Sequence, residues 1–131
     1  MFKTLQTIVA ITLFAVISLT ALTAQADTVA SGSFVGASEH ITTGGVEITE
    51  NADGSHTITL GEDFSLDGAP DPRVGLGKDG QFDSDTDAGK LANLTGSQSF
   101  IVPVGIDIAD FNEVYIWCEK FSVPLGVATL G

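Results

Sequence analysis

Beyond residue 30 the chain runs in short apolar and polar alternations broken by turn residues. Val46 and Ile48 share one face of Gly45 to Glu50, and Ile58 and Leu60 share one face of His56 to Leu60. Asn51-Ala52-Asp53-Gly54 lies between them, so residues 45 to 61 read as a β-hairpin. Ser31 to Gly36 reads as a strand before it. Further strands are expected at Asp63 to Leu66, Arg73 to Leu76, Ser97 to Val102, Glu113 to Cys118 and Phe121 to Leu130. Pro70-Asp71-Pro72 forces an extended entry to the strand at Arg73. Gly77 to Gly89 reads as a polar loop dense in Asp, and Asp107 as the cap of a single helical turn through Phe111. About seven to eight short strands with turn signals between them predict an all-β domain, a single antiparallel β-sandwich or small barrel.

The first 26 residues follow a different rule. Lys3 precedes an apolar run from Ile8 to Leu22, and Ala24-Gln25-Ala26 has the small-x-small form of a cleavage site. The run is about 15 residues, short of the roughly 20 a spanning helix needs. Residues 1–26 are therefore expected to be a cleaved secretory signal peptide, with residues 27–131 the mature domain. The run is followed by no lipid-accepting cysteine and preceded by no arginine pair. The expected location is periplasmic or secreted, with no membrane span once the signal is removed.

Charge narrows the partners. Removing Lys3 leaves four basic residues (Arg73, Lys78, Lys90 and Lys120) against 17 acidic ones, a net charge of −13. Such a surface repels phosphate backbones and anionic lipid, which argues against nucleic-acid binding. It favours cations, basic extracellular partners or plain solubility.

Cys118 is the sole cysteine, in the apolar run Val114-Tyr115-Ile116-Trp117-Cys118. Exported proteins ordinarily pair their cysteines, so a lone thiol is either a small buried hydrophobe or a reactive group. Strand alternation puts Cys118 on the face of Val114 and Ile116, opposite Tyr115, Trp117 and Glu119. A reactive thiolate needs exposure and a positive neighbour. Lys120 supplies one only if the strand is bulged or ends at Cys118, and Glu119 works against it. An unpaired thiol also leaves an intermolecular disulfide open.

Asp83-Ser84-Asp85-Thr86-Asp87 resembles a D-x-D-x-D calcium loop, with Asp83, Asp85 and Asp87 as oxygen ligands and Asp79 as a further contributor. It departs from the EF-hand pattern at Ala88, where Gly is required, and at Leu94, where the bidentate Glu belongs. A solvated loop is the competing reading. No G-x-S-x-G hydrolase pattern is present. Asn93-Leu94-Thr95 is a glycosylation sequon, relevant only in a host that uses such sites.

Larger blocks carry a family resemblance. They are Ala69-Pro70-Asp71-Pro72-Arg73-Val74-Gly75-Leu76, the stretch from Gly89 to Pro103, and Asp110 to Val123 followed by Gly126-Val127-Ala128. Together they resemble the DM13 domain, a small extracellular β module also found beside DOMON domains. The I-W-C-x-x-F-S-V-x-x-G-x-A segment is the specific part; L-x-G-x-Q and the opening Gly32, Phe34, His40 and Gly44 are softer. Phe100 stands where Tyr is frequent. Pro124-Leu125 replaces a more usual aromatic or aliphatic pair, and Pro124 suggests an edge strand. The resemblance implies redox chemistry at Cys118, as a bare thiol or by holding a prosthetic group such as haem. C-x-x-C-H is absent, and a blue-copper set lacks its ligands after Cys118. A b-type haem would have to use His40 or Cys118, and Cys118 with His40 is the ligating pair to examine. His56 reads as a surface imidazole.

Two functions follow as expectations. One is an exported redox or electron-transfer accessory module using Cys118 with a redox partner protein, not an enzyme by itself. The other is a non-catalytic interaction or adhesion module with a structural core cysteine and an acidic, Ca²⁺-binding or basic-partner-binding loop.

Overall fold

A computed structural model describes residues 26–131, so all but the last residue of the expected signal segment lies outside the described residues. The strands are β1 (Asp27–Gly36), β2 (Thr42–Thr43), β3 (Gly45–Glu50), β4 (His56–Leu60), β5 (Ser65–Leu66), β6 (Pro72–Lys78), β7 (Gln81–Asp83), β8 (Gly89–Lys90), β9 (Gln98–Ile101), β10 (Glu113–Cys118) and β11 (Val123–Thr129). Short 3-10 turns lie at Ser84–Thr86 and Ile108–Asp110, and Asp107 caps the second by accepting from the Ala109 amide. None of the described helical segments is long and apolar enough to cross a membrane.

The expected all-β architecture is present, as one continuous antiparallel sheet curled into a half-barrel. Its order is β7-β6-β10-β11-β1-β3-β4-β9, with β8 paired to β6 off this path. β1 is the joint: residues 27–33 pair with β3 and Phe34–Gly36 with β11. It begins four residues before the expected Ser31 because β3 templates it, with Asp27 opposite Glu50 and an irregularity between Thr28 and Ala30. The β3–β4 hairpin has the expected bounds.

Two expectations need correction. Residues 77–89 are not one polar loop. β6 continues to Lys78, turns through Asp79 and Gly80, both at positive φ, and returns as β7. That is the Asp-Gly hairpin chemistry of a type I′ turn, hidden in the sequence because Gly75 and Gly77 dilute the apolar alternation of β6. Nor is β11 an edge strand: it lies between β10 and β1. Pro124 fits there because the register shifts beside it, Ile116 facing Gly126 and Trp117 facing Pro124, and because β1 pairs only with residues 126–128. A bulge leaves one backbone group outside the ladder, which is where a residue without an N–H is tolerated.

The inner face carries a single core: Val46, Ile48, Ile58 and Leu60 from the β3–β4 side, and Val74, Leu76, Val114, Ile116, Cys118, Leu125 and Ala128 from the other. A small second sheet, β2 with β5, closes over part of it. Thr42 Oγ1 donates to the Leu125 carbonyl at 2.7 Å, and a Cβ at Gly126 would lie 2.6 Å from Thr42 Cγ2. Phe64, just before β5, packs edge-on against Phe34 with centroids 5.6 Å apart. These contacts lead the chain from β5 into the segment 67–71, which passes over the end of β10.

Candidate functional site

Cys118 is the last residue of β10, opposite Pro72 on β6 and Val123 on β11. Alternation points its side chain inward with Val114 and Ile116, as expected, and it is 0 % exposed. Its Sγ donates to the Pro70 carbonyl at 3.1 Å. The thiol is thus a core group at the rim of the core, covered by the strap Asp67-Gly68-Ala69-Pro70-Asp71.

That strap is tied at both ends. At its start, Asp67 N–H donates to the Ile41 carbonyl at 3.1 Å, while the Asp67 carboxylate accepts from Ile41 N–H at 3.0 Å and contacts His40 Nδ1 at 2.8 Å. The Ile41 amide, and after it His40, hold the Asp67 carboxyl below the usual carboxylate range. At its end, Glu119 N–H donates to the Asp71 carbonyl at 3.2 Å. Arg73 binds Asp87 through Nη1 at 3.2 Å, and its Nε sits 3.2 Å from Asp71 Oδ1. The Nε contact is off the N–H axis, so it is an ion pair and not an aligned hydrogen bond. The Asp87 charge, seconded by Asp71, holds the Arg73 guanidinium above its already high ordinary pKa. Gly68 and Asp71 within the strap, and Ser38 and Glu39 before His40, all have positive φ. For the three non-glycine residues this is an uncommon conformation maintained by the surrounding contacts.

The opposite face of the same strands carries an aromatic plate. Trp117 stacks on Phe82 of β7 with centroids 4.5 Å apart and planes 16° from parallel, and Phe82 tilts against Tyr115 at 5.7 Å. Glycine makes the room. A Cβ at Gly75 would lie 2.6 Å from the Phe82 ring, and one at Gly77 would collide with the Tyr115 ring and the Gln81 carbonyl. Burial, with Glu113 beside it, raises the Tyr115 phenol above its ordinary pKa.

The sequence-selected residues fall in two groups. His40 and Cys118 are each bonded to the strap, at Asp67 and at Pro70, and neither is bonded to the other. β10 ends at Cys118, the condition set for Lys120 to approach the thiol, and the Lys120 Nζ lies over the Phe121 ring, 5.6 Å from the centroid. The acidic loop is organised by its own backbone. Asp83 Oδ1 accepts from Asp85 N–H at 2.9 Å, Asp87 Oδ1 accepts from Gly89 N–H at 2.9 Å, and Asp87 Oδ2 is committed to Arg73. Among the described residues no group of three or more His, Cys, Asp or Glu is arranged to hold a metal ion. His56 is half-buried at the start of β4. The strap residues Asp67, Pro70 and Asp71, and the stacking partner Phe82, were not selected from the sequence. Pro70-Asp71-Pro72 signalled an extended turn but not what lay beneath it.

A haem does not fit these residues as they stand. Cys118 Sγ is enclosed and engaged with Pro70, and neither Cys118 nor His40 lines any of the main cavities found among the described residues. The largest of these, an open groove of about 820 Å³, lies elsewhere, against Phe82 and Phe111.

Fold and site define a small all-β module, a curled antiparallel sheet with a single strapped thiol at the end of a central strand. The chain belongs to the DM13 family: the family model described as Electron transfer DM13 matches residues 33–130. The match spans β1 to β11 and includes His40, the strap and Cys118. It places the chain among electron-transfer modules. No curated protein and no solved structure matches the chain.

Proposed function

We propose that this protein is an exported electron-transfer accessory module, periplasmic or secreted, whose redox group is the Cys118 thiol. The observation that carries the reading is the family match to an electron-transfer domain across a chain with one thiol. The chemistry available to a lone thiol is exchange with a partner's disulfide. The Cys118 thiolate attacks one partner sulfur, the partner's S–S bond breaks, and a mixed disulfide forms. The displaced sulfur leaves as a thiolate and takes up the proton that Cys118 released. No second cysteine resolves this bond internally, so it persists until a partner thiol attacks it.

Access depends on the strap. Pro70 must leave Sγ before a partner disulfide can reach it, and the strap is a short segment held by contacts at its two ends. Export is supported by Lys3, the Ile8 to Leu22 apolar run and Ala24-Gln25-Ala26. Expression of the full chain in a secreting host, followed by intact mass and N-terminal sequencing, should give a chain starting at Asp27.

The test of the redox reading is native thiol titration with a small aromatic disulfide, with the visible spectrum recorded alongside. Expected is one thiol per chain reacting without denaturant, absent in Cys118→Ser, and no visible band. A thiol silent until the chain unfolds refutes the reading. A second reading, a non-catalytic interaction module with a structural cysteine, has its own support in the complete burial of Cys118 within the core.

A further inference from the structure

A broad groove among the described residues lies away from the thiol. It measures about 820 Å³ and is lined by the β6–β7 hairpin and by the segment around the second 3-10 turn: Lys78, Asp79, Phe82, Asp83, Asp110 and Phe111, with Gln81 and Ser84. It is an open surface groove rather than an enclosed pocket. Two half-buried phenyl rings, Phe82 and Phe111, form its apolar part. Three carboxylates and one ammonium group line it.

Two of those carboxylates are fixed from behind. Asp79 Oδ1 accepts from Asn112 Nδ2 at 2.8 Å, and the Asp79 amide donates back to Asn112 Oδ1 at 3.0 Å. Asp83 Oδ1 accepts from the Asp85 amide. Oδ2 of each takes part in none of these bonds. Orientation set in the free protein lowers the ordering entropy lost on binding. Phe82 is held too, by its stack on Trp117.

We propose that this groove is a docking site for an arginine-bearing segment of a partner protein. Charge complementarity and shape both select that occupant. A chain of net charge −12 repels anions, and three carboxylates against one lysine select a cation. The phenyl rings distinguish among cations. A planar guanidinium stacks on a ring face while its edge donates in parallel to a carboxylate, whereas a hydrated metal ion or a lysine ammonium uses only the charge. This surface does not depend on Cys118 chemistry, so its failure would leave the thiol reading untouched.

The chain supplies its own reporter, because its single tryptophan, Trp117, is the residue stacked on Phe82. The mature chain is titrated with hexa-arginine at low ionic strength while Trp117 fluorescence is followed. A saturable change is expected, weakened about tenfold or more by 0.3 M NaCl. The double substitution Asp79→Asn with Asp110→Asn should weaken binding by about tenfold. Asn is accepted at position 79, whose φ is +51°. Glu47→Gln with Glu50→Gln, which removes the same charge from β3, should leave binding within about twofold. Phe111→Leu should weaken hexa-arginine and leave hexalysine unchanged. The proposal is overturned by no saturable signal, by equal loss in the β3 control, by hexalysine binding as tightly as hexa-arginine, or by Ca²⁺ alone saturating the same signal. Melting curves of each variant exclude unfolding as the cause of a loss.

Discussion

Exposure of Cys118 requires the strap 67–71 to lift, and the contacts to be broken can be named. The main ones are the Sγ–Pro70 carbonyl bond at 3.1 Å, the Asp67 amide–Ile41 carbonyl bond at 3.1 Å and the Glu119 amide–Asp71 carbonyl bond at 3.2 Å. The solvent-exposed carboxylate contacts of Asp67 with Ile41 and His40, and of Asp71 with Arg73, are screened by water and add little. At about 0.5–1.5 kcal/mol net for each of the three main bonds, local opening lies about 2–4 kcal/mol above the closed state. Every 1.4 kcal/mol is a factor of ten, so disulfide exchange should run roughly 30- to 1,000-fold slower than at a free thiol of the same pKa. Exposure by global unfolding would instead slow it by roughly 10⁴-fold or more, since domains unfold at about 5–15 kcal/mol. Two further measurements separate the routes. The logarithm of the rate should change little with urea below the unfolding transition, because local opening exposes little surface, whereas the global route carries the whole unfolding slope of about 1–3 kcal/mol per molar. Asp67→Asn and His40→Ala loosen the start of the strap and should accelerate exchange by more than their effect on the melting temperature accounts for. A rate that follows global stability in both tests would refute local opening and make Cys118 a core cysteine only.

Three other outcomes are expected. Gly77→Ala drives a Cβ into the Tyr115 ring and the Gln81 carbonyl and should destabilise by about 1–3 kcal/mol, a fall in melting temperature of roughly 5–15 °C, with Trp117 fluorescence altered. An unchanged melt would show that the aromatic plate is not packed against β6. Thr86 is buried, with Oγ1 accepting from the Leu76 amide at 2.7 Å, so Thr86→Val should cost about 1–3 kcal/mol and Thr86→Ser distinctly less. Equal losses in calorimetry would rule out the hydroxyl as the reason. The Asp67 and Asp53 carboxyls are held below the ordinary value by hydrogen bonds, Asp67 first by the Ile41 amide and Asp53 first by the Ser55 hydroxyl. Both therefore add stability above their unfolded pKa of about 3.9, and it is lost as pH falls through their lower folded values. Melts from pH 7 to 2 should fall in that acid range, and less so in Asp67→Asn with Asp53→Asn. The same acid sensitivity in the double variant would exclude these two groups.

Family membership and the identity of the interesting residue were legible in the linear chain. Ile116-Trp117-Cys118 with Phe121-Ser122-Val123 is a contiguous pattern, and strand alternation grouped Cys118 with Val114 and Ile116, the face that the fold buries. The β3–β4 hairpin was equally plain, because Asn51 to Gly54 and the alternation around it are local signals. The β6–β7 hairpin was hidden, since Gly75 and Gly77 are there to admit rings from Phe82 and Tyr115, and those contacts are made between strands. Pro124 misled for the same reason: its tolerance depends on a bulge set by the register with Trp117.

The sequence by itself determined the strand class, the strong acidity and the single thiol on the face of Val114 and Ile116, because period-two alternation and residue counts need no partner. Tertiary structure decided whether that thiol can react. Burial of Sγ, its bond to Pro70 48 residues away, and the hold of His40 and Ile41 on Asp67 arise only when distant segments meet. Reactivity of a cysteine is a property of its surroundings, and those surroundings are assembled by the sheet order.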